Sequence, residues 1–124
     1  MTREEATKLI EIYGKAWETK NPELIASIFT EEATHSDPKE KEDIGRDAIK
    51  EYWKSKVVGQ QDEIKFDIRN VWVDGDTVIA EWHVTFRDIK RKLFIDMVEV
   101  AIFTVKDGKF SSDREYYKDT KISY

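Results

Sequence analysis

Apolar residues recur at two different periods along the 124-residue chain, and the change of period separates a helical first half from a strand-rich second half. Thr2 and Glu5 form a capping-box pattern, and the apolar residues after them recur every three or four positions, which predicts a first helix. Asn21-Pro22 supplies an N-cap and a proline at the first helical position, and so predicts a short second helix. A third predicted helix opens at Gly45 and ends at Gly59.

From Glu63 onward the chain is rich in β-branched and aromatic residues, with the turn signals Asp74-Gly75-Asp76 and Asp107-Gly108 between the runs. This pattern predicts four long strands near 62–73, 77–90, 93–106 and 109–118. A brief strand is predicted earlier in the chain, at 32–37. Helices followed by antiparallel strands imply an α+β fold, with three N-terminal helices on one face of a curved sheet. The chain length predicts one domain over residues 1–124.

The alternation within the strands predicts which face of the sheet lies inside. In the segment 78–86 the even positions are apolar or aromatic, so this set is predicted to face the helices. The next strand is apolar on both faces, with Met97 and Phe103 on one side and Val98 and Val100 on the other. A sheet that is apolar on both sides needs a second cover, and a symmetric homodimer through the outer sheet face is the simplest one. The alternative is that the helices wrap further around the sheet.

Composition and charge exclude several classes of function. The net charge is −5, and no basic block with interleaved aromatic residues occurs, which argues against binding nucleic acid or an anionic membrane. No apolar run approaches the ~20 residues of a membrane span, and the N-terminus lacks the pattern of a secretory signal, so we expect a cytoplasmic protein. The absence of cysteine excludes disulfides and thiolate chemistry. Sparse glycines and the lack of a Gly-x-Ser-x-Gly elbow indicate neither a nucleotide cofactor nor a serine nucleophile.

The segment 33–38 carries the most informative chemistry. His35 and Asp37 lie two residues apart on a predicted strand and therefore share a face, which is typical of acid/base equipment, although a satisfied polar pair is the alternative. An imidazole with nearby carboxylates also permits a divalent metal site. Only two histidines occur, His83 is predicted on the other sheet face, and no His-x-His spacing is present, so no metal is predicted.

At this point several segments resemble the nuclear transport factor 2-like superfamily, most closely its SnoaL-like polyketide cyclases and ketosteroid isomerases. The resemblance rests on Tyr13 and on the segments AWETKNPEL (16–24), FTEEATHSDP (29–38), GRDAIKEYW (45–53), DGK (107–109) and REYY (114–117). It implies a cone-shaped barrel in which three helices and a strongly curved, mostly antiparallel sheet enclose an apolar pocket, with dimerisation through the outer sheet face. It does not specify the reaction, because this fold hosts many activities.

Transfer of the isomerase site by resemblance succeeds in part. Asp37, at a strand end before a proline, matches the general base, and Tyr13 in the first helix matches the donor to the forming oxyanion. A neutral aspartic acid that shares the oxyanion would fall at Ala101 and is absent, and Trp53 stands near the position of a supporting aromatic hydroxyl. An efficient steroid isomerase is therefore not expected, because loss of one preorganised donor costs on the order of a hundredfold in rate.

Other carboxylates are predicted to take the place of the aspartic acid that is absent at Ala101. Glu99 shares a face with Ala101, and the register implied by the resemblance places Ser111, Asp113, Glu115 and Tyr117 inward and Phe110 outward. Burial and mutual repulsion would raise some of these carboxyl pKa values and make general acids near neutral pH. The alternatives are pairing with Arg87, Arg114 or Lys118, or a bulge that turns Glu99 outward. The complete predicted pocket wall is Trp17, Trp53, Trp82, Val84, Phe86, Met97, Glu99, Ala101, Phe103, Asp113, Glu115 and Tyr117.

Two functional hypotheses follow from these residues. The first is a cofactor-independent isomerase, cyclase or dehydratase acting on a small apolar carbonyl compound, in which Asp37 moves the proton, His35 tunes it and Tyr13 polarises the substrate oxygen. The second is a binding module of the same fold that holds an apolar molecule or a peptide without turnover. The high charge content alone suggests a third, a stability-optimised or designed version of the fold.

Overall fold

The computed structural model describes residues 1–39 and 41–124. Glu40, in the charged loop that the sequence predicts from Pro38 to Asp43, lies outside the described residues. The helical elements occupy the predicted first half of the chain. They are α1 (Arg3–Glu18), α2 (Pro22–Ala26) and α3 (Arg46–Tyr52), and α3 continues directly into a π-helix (Trp53–Val58). Among the described residues, none of the helices combines the length and apolarity that crossing a bilayer requires.

Side-chain caps fix where the first two helices begin. Thr2 Oγ1 accepts a hydrogen bond from the Glu5 backbone N–H at 3.1 Å, and Glu5 Oε1 accepts one from the Thr2 N–H at 2.9 Å. The Asn21 side chain likewise accepts from the Leu24 N–H at 3.0 Å, with Pro22 at the first position of α2. These bonds satisfy N–H groups that a helix leaves unpaired at its start, and they confirm the predicted caps.

One six-stranded sheet contains every strand of the described chain. Its members are β1 (Phe29–Ser36), β2 (Asp43–Ile44), β3 (Gln61–Asp74), β4 (Thr77–Asp88), β5 (Leu93–Lys106) and β6 (Lys109–Ser123). The spatial order is β2-β1-β6-β5-β4-β3, and every neighbouring pair is antiparallel except β1 and β6, which run parallel. The predicted α+β fold with a curved sheet is confirmed. The sheet remains open instead of closing into a barrel, because β2 and β3 are edge strands that do not pair with each other within residues 1–39 and 41–124.

The inner face of the sheet packs against the helices and forms the core. The even positions of β4 from Val78 to Phe86 are buried, as their alternation predicts. The ends of other strands differ from the prediction: β1 ends at Ser36, so that Asp37 lies just beyond it, and β6 extends to Ser123. The extension of β6 follows from its pairing with β5, which continues in register as far as Leu93 opposite Ser123.

A bulge in β6 overturns the predicted orientation of Phe110 and Ser111. Val105 pairs with Phe110 and Thr104 pairs with Ser112, so Ser111 is an extra residue between two ladder positions. Phe110 therefore faces inward, where it is fully buried and stacks on Phe103 with 4.0 Å between ring centroids. The Ser111 hydroxyl lies 2.7 Å from Thr104 Oγ1, whose side chain is exposed, instead of pointing into the interior.

Candidate active site

A cavity of about 350 Å³ lies between the helices and the inner face of the sheet. Its walls come from α1, the end of β1, the segment formed by α3 and the π-helix, and the strands β4, β5 and β6. This volume is at the lower end of the range for small-molecule sites. The fold thus provides a space that fits a small ligand.

Most of the predicted site residues line this cavity. They are Tyr13, Trp17, His35, Asp37, Trp53, Phe86, Met97, Glu99, Glu115 and Tyr117. The remaining predicted residues do not line the cavity. Tyr13 packs between the cavity and two of them, with its ring centroid 4.8 Å from that of Trp82 and 6.3 Å from that of Phe103. The predicted pocket residues that the structure places in the core instead are Trp82, Val84, Ala101, Phe103 and Asp113.

Tyr13 has a different partner from the one expected. Its hydroxyl donates to Glu115 Oε2 at 2.5 Å, whereas the resemblance implies that it donates to the forming oxyanion of a substrate. The indole N–H of Trp53 donates to the Ala16 carbonyl at 3.0 Å, so Trp53 supports Tyr13 only through an edge-on ring contact. Burial, and then the charge of Glu115, raise the pKa of Tyr13 well above its usual value. Tyr13 is thus a phenol that holds Glu115 in place.

His35 lies between carboxylates from two neighbouring strands. Its Nδ1 is 3.2 Å from Asp43 Oδ2 on β2, and its Nε2 is 3.4 Å from Glu115 Oε1 on β6. Burial favours a lower pKa for His35, but the charge of Glu115 and the hydrogen bond with Asp43 outweigh it and raise that pKa well above its usual value. Burial conversely favours a higher pKa for Glu115, and the charge of His35 holds it below its usual value. The two side chains therefore form a buried imidazolium–carboxylate pair.

Glu99 is the acid that faces the cavity from β5. It pairs across the sheet with Trp82, whose indole N–H donates to Glu99 Oε1 at 2.9 Å. Burial, followed by the nearby charge of Glu115, raises the pKa of the Glu99 carboxyl well above its usual value. Glu99 consequently keeps its proton at a pH where an exposed glutamate has lost it, so it is able to donate a proton inside the cavity.

Asp113 is a third buried acid, and it lies next to His35 and outside the cavity lining. It pairs with His35 across the parallel β1–β6 contact, and its Oδ2 is 3.9 Å from His35 Nε2. Burial, and then the charge of Glu115, raise the pKa of Asp113 well above its usual value. The side chains of His35, Asp113 and Glu115 offer ligand atoms within 4.8 Å of one another, so this trio has the composition and spacing to hold a metal ion.

Asp37 occupies a more open position than the residues above. It lines the cavity, is half-buried, and accepts a hydrogen bond from the Lys39 N–H at 2.9 Å. The two ring nitrogens of His35 face Asp43 and Glu115, so the structure couples His35 to Glu115 instead of to Asp37.

Sequence reasoning missed two contributions to the site. The sequence predicts a charged loop from Pro38 to Asp43, because a two-residue strand such as β2 (Asp43–Ile44) leaves no periodic signal. The charged rim was also missed; its members are Lys39, Lys56, Asp88, Lys90, Arg91 and Asp119, together with Gln60 and Gln61.

Comparisons with known proteins identify a family and solved structures with a similar fold. The family model of the SnoaL-like domain matches residues 10–112. Among curated proteins none matches the sequence significantly.

Solved structures similar to the chain include proteins with several assigned activities. An epoxide hydrolase of the LEH-like type from M. tuberculosis is 16% identical, with a TM-score of 0.78 over 94% of this chain and 84% of that one. A hypothetical protein with a ketosteroid isomerase-like fold from Catenulispora acidiphila is 19% identical, with a TM-score of 0.79 over 89% and 85%. A polyketide cyclase, assigned provisionally, from Sinorhizobium meliloti is 18% identical, with a TM-score of 0.70 over 87% and 93%. At these identities the likeness shows the fold alone.

Proposed function

The chain belongs to the SnoaL-like domain family, and we propose that it is a cytoplasmic acid/base enzyme that acts on a small, largely apolar carbonyl compound without an organic cofactor. The observation that carries this proposal is the buried carboxyl of Glu99, which faces the cavity and accepts a hydrogen bond from Trp82. A buried acid that keeps its proton and faces a cavity is equipped to protonate a carbonyl oxygen as charge develops on it.

The remaining cavity residues have complementary roles in this proposal. Asp37 accepts the C–H proton next to the carbonyl while Glu99 gives its proton to the oxygen, so that an enol forms without net change in the number of protons. Asp37 lies near enough to Glu99 for its charge to raise the Glu99 pKa further. Glu115 is a poor base, because Tyr13 and His35 stabilise its ionised form. Tyr13 and His35 are therefore positioning residues that fix the charge beside Glu99.

The enzyme hypothesis is tested by exchange of substrate protons with solvent. Ring ketones are incubated with the protein in D₂O, and deuterium incorporation next to the carbonyl is followed by NMR. We expect Glu99→Gln to slow this exchange at least about a hundredfold, a typical contribution of one general acid. The matched control is Glu81→Gln, because Glu81 faces the outer side of the sheet, opposite Val100, and we expect it to leave exchange unchanged.

Three results would contradict the proposal in distinguishable ways. Unchanged exchange in Glu99→Gln would remove Glu99 from the chemistry. Hydration of simple epoxides that depends on Glu99, with no exchange on any ketone, would keep the acid but replace the carbonyl compound with an epoxide. Binding of ring compounds in a thermal-shift screen with neither reaction would instead support the binding module.

We also propose that two copies of the chain associate through the outer face of the sheet. Trp72 is 47% exposed and Tyr116 is 50% exposed on this face. The half-buried side chains of Ile79, Val100 and Ile102 lie between them, and cross-strand pairing makes the patch continuous from β3 to β6. Monomeric proteins rarely expose contiguous apolar surface of this kind, so a second copy is its simplest cover.

The association is measured by sedimentation or by light scattering coupled to size exclusion. We expect a dimer for the unmodified chain and a monomer for Ile102→Lys, because a lysine in the centre of the patch places like charges against each other. Ile122→Lys is the control, since Ile122 is already largely exposed near the end of β6. A monomeric unmodified chain, or a dimer that Ile102→Lys leaves intact, would contradict the proposed interface.

A further inference from the structure

Three buried polar atoms in the described part of the chain lack a hydrogen bond of good geometry, although His35 Nε2 faces Glu115 in an ion pair. Within the described residues, His35 Nε2 and both carboxyl oxygens of Asp113 are buried and make no hydrogen bond. The His35 side chain is 4% exposed and that of Asp113 is completely buried. Buried polar atoms without hydrogen bonds are uncommon, because the free energy lost when their bonds to water are broken is not compensated by new bonds in the protein. Their clustering at one point indicates a missing bonding partner.

The unpartnered atoms, together with Glu115 Oε1, have the spacing of a metal site. His35 Nε2 lies 3.4 Å from Glu115 Oε1 and 3.9 Å from Asp113 Oδ2. Zinc binds nitrogen and oxygen ligands at about 2.0–2.2 Å, so two ligands of a tetrahedral ion lie roughly 3.4 Å apart. The first separation already has this value, and the second requires a shift of only about half an ångström.

Neighbouring side chains orient these ligands as outer-shell partners do. Asp43 Oδ2 lies 3.2 Å from His35 Nδ1, a contact that keeps one ring proton on Nδ1, so an ion that binds at Nε2 displaces the second proton of the imidazolium. The Tyr13 hydroxyl occupies Glu115 Oε2 and leaves Oε1 on the side of His35. When the cation binds, the Nε2 proton of His35 and the carboxyl proton of Asp113 are released to solvent, and the resulting neutral imidazole and two carboxylates balance the charge of a divalent cation.

We propose that His35 Nε2, one Asp113 oxygen and Glu115 Oε1 bind a single divalent transition-metal cation such as Zn²⁺. His35 and Glu115 line the cavity whereas Asp113 lies behind them, so the cation has three protein ligands and an open position toward the cavity. Three ligands with an open position are the arrangement found in catalytic zinc sites. The sequence does not predict this site, because its ligands come from β1 and β6 and show no recognisable spacing.

The metal site is tested with Zn²⁺ alone. Chelator-treated protein is titrated with Zn²⁺ by calorimetry and with Co²⁺ by visible absorption, and we expect one equivalent of each to bind. Asp113→Asn preserves the shape of the side chain but removes its charge, and we expect it to weaken Zn²⁺ binding at least about tenfold. His35→Gln removes the nitrogen ligand, and we expect a loss of at least the same size.

The controls separate this site from surface binding and from the proposed reaction. His83→Gln is the matched histidine control, because His83 lies half-buried on the outer face beside Asp96, and we expect it to bind Zn²⁺ as the unmodified protein does. We expect Glu99→Gln to retain Zn²⁺ binding as well, so failure of the acid/base proposal does not affect this one. No binding at millimolar Zn²⁺, equal binding by Asp113→Asn, or equal loss in His83→Gln would overturn the proposal. Circular dichroism confirms that each variant is folded before titration.

Discussion

Phe110→Ala is expected to lower the free energy of unfolding by about 3–5 kcal/mol, the usual cost of removing a fully buried phenylalanine. Phe110 stacks on Phe103 and lies 6.0 Å from the ring of Phe29, so the truncation leaves a cavity where β1, β5 and β6 meet. Chemical denaturation followed by circular dichroism measures the change.

Phe94→Ala is the matched control for this substitution. Phe94 belongs to the same sheet, but its side chain is nearly half exposed, and we expect its removal to cost less than half as much. Equal losses in the two variants would contradict the inward orientation of Phe110 and restore the orientation predicted from the sequence.

Glu99→Gln is expected to stabilise the protein at pH 8 and to have little effect near pH 4. The pKa of Glu99 is raised in the folded state by burial, so the folded chain retains a proton that the unfolded chain releases. Stability therefore falls as pH rises from the unfolded pKa, about 4.3, through the folded pKa, and glutamine removes this loss. The expected gain at pH 8 is about 1–3 kcal/mol, the usual penalty of a buried polar group without sufficient partners.

The comparison of variant with unmodified chain measures the effect of Glu99 among its titratable neighbours. Tyr13, His35, Asp37, Asp43, Asp113 and Glu115 are present in both proteins, so the difference between the two pH profiles reports Glu99 together with the effect of its charge on these neighbours. Denaturation is followed at several pH values in the presence of a chelator, with Glu81→Gln as the control on the outer face. A gain that is as large at pH 4 as at pH 8 would show that the raised pKa of Glu99 is not its cause.

Local signals made most of the fold predictable. Thr2 with Glu5, and Asn21 with Pro22, specify helix starts through nearby residues. The Asp74-Gly75-Asp76 turn sets the register of β3 with β4 as far as Asn70, beyond which irregularities in β3 shift it. The predicted orientations of Phe110 and Ser111 are wrong because the strand register implied by the family resemblance does not include the bulge in β6. Within this sheet, the bulge is set by pairing with Thr104 and Val105, which is tertiary information.

The candidate site was predictable only in its composition. The register implied by the family resemblance places Asp113 and Glu115 inward, and Glu99 is predicted inward because it shares a face with Ala101; the structure buries all three. The sequence did not indicate that Glu115 would bond to Tyr13, or that His35 would lie between Asp43 and Glu115. Those contacts depend on β1 inserting between β2 and β6, an arrangement without a local signature.

The parallel contact between β1 and β6 determines when the candidate site can form during synthesis of the chain. The Tyr13–Glu115 bond joins residues 102 positions apart, and β1 has no long neighbour until β6 emerges from the ribosome. Closing such a distant pair requires a large loss of chain entropy before any contact repays it, which slows folding. The nascent chain therefore lacks the Tyr13–Glu115 contact of the candidate site, and keeps an open strand edge for aggregation or chaperone capture, until β6 has been translated.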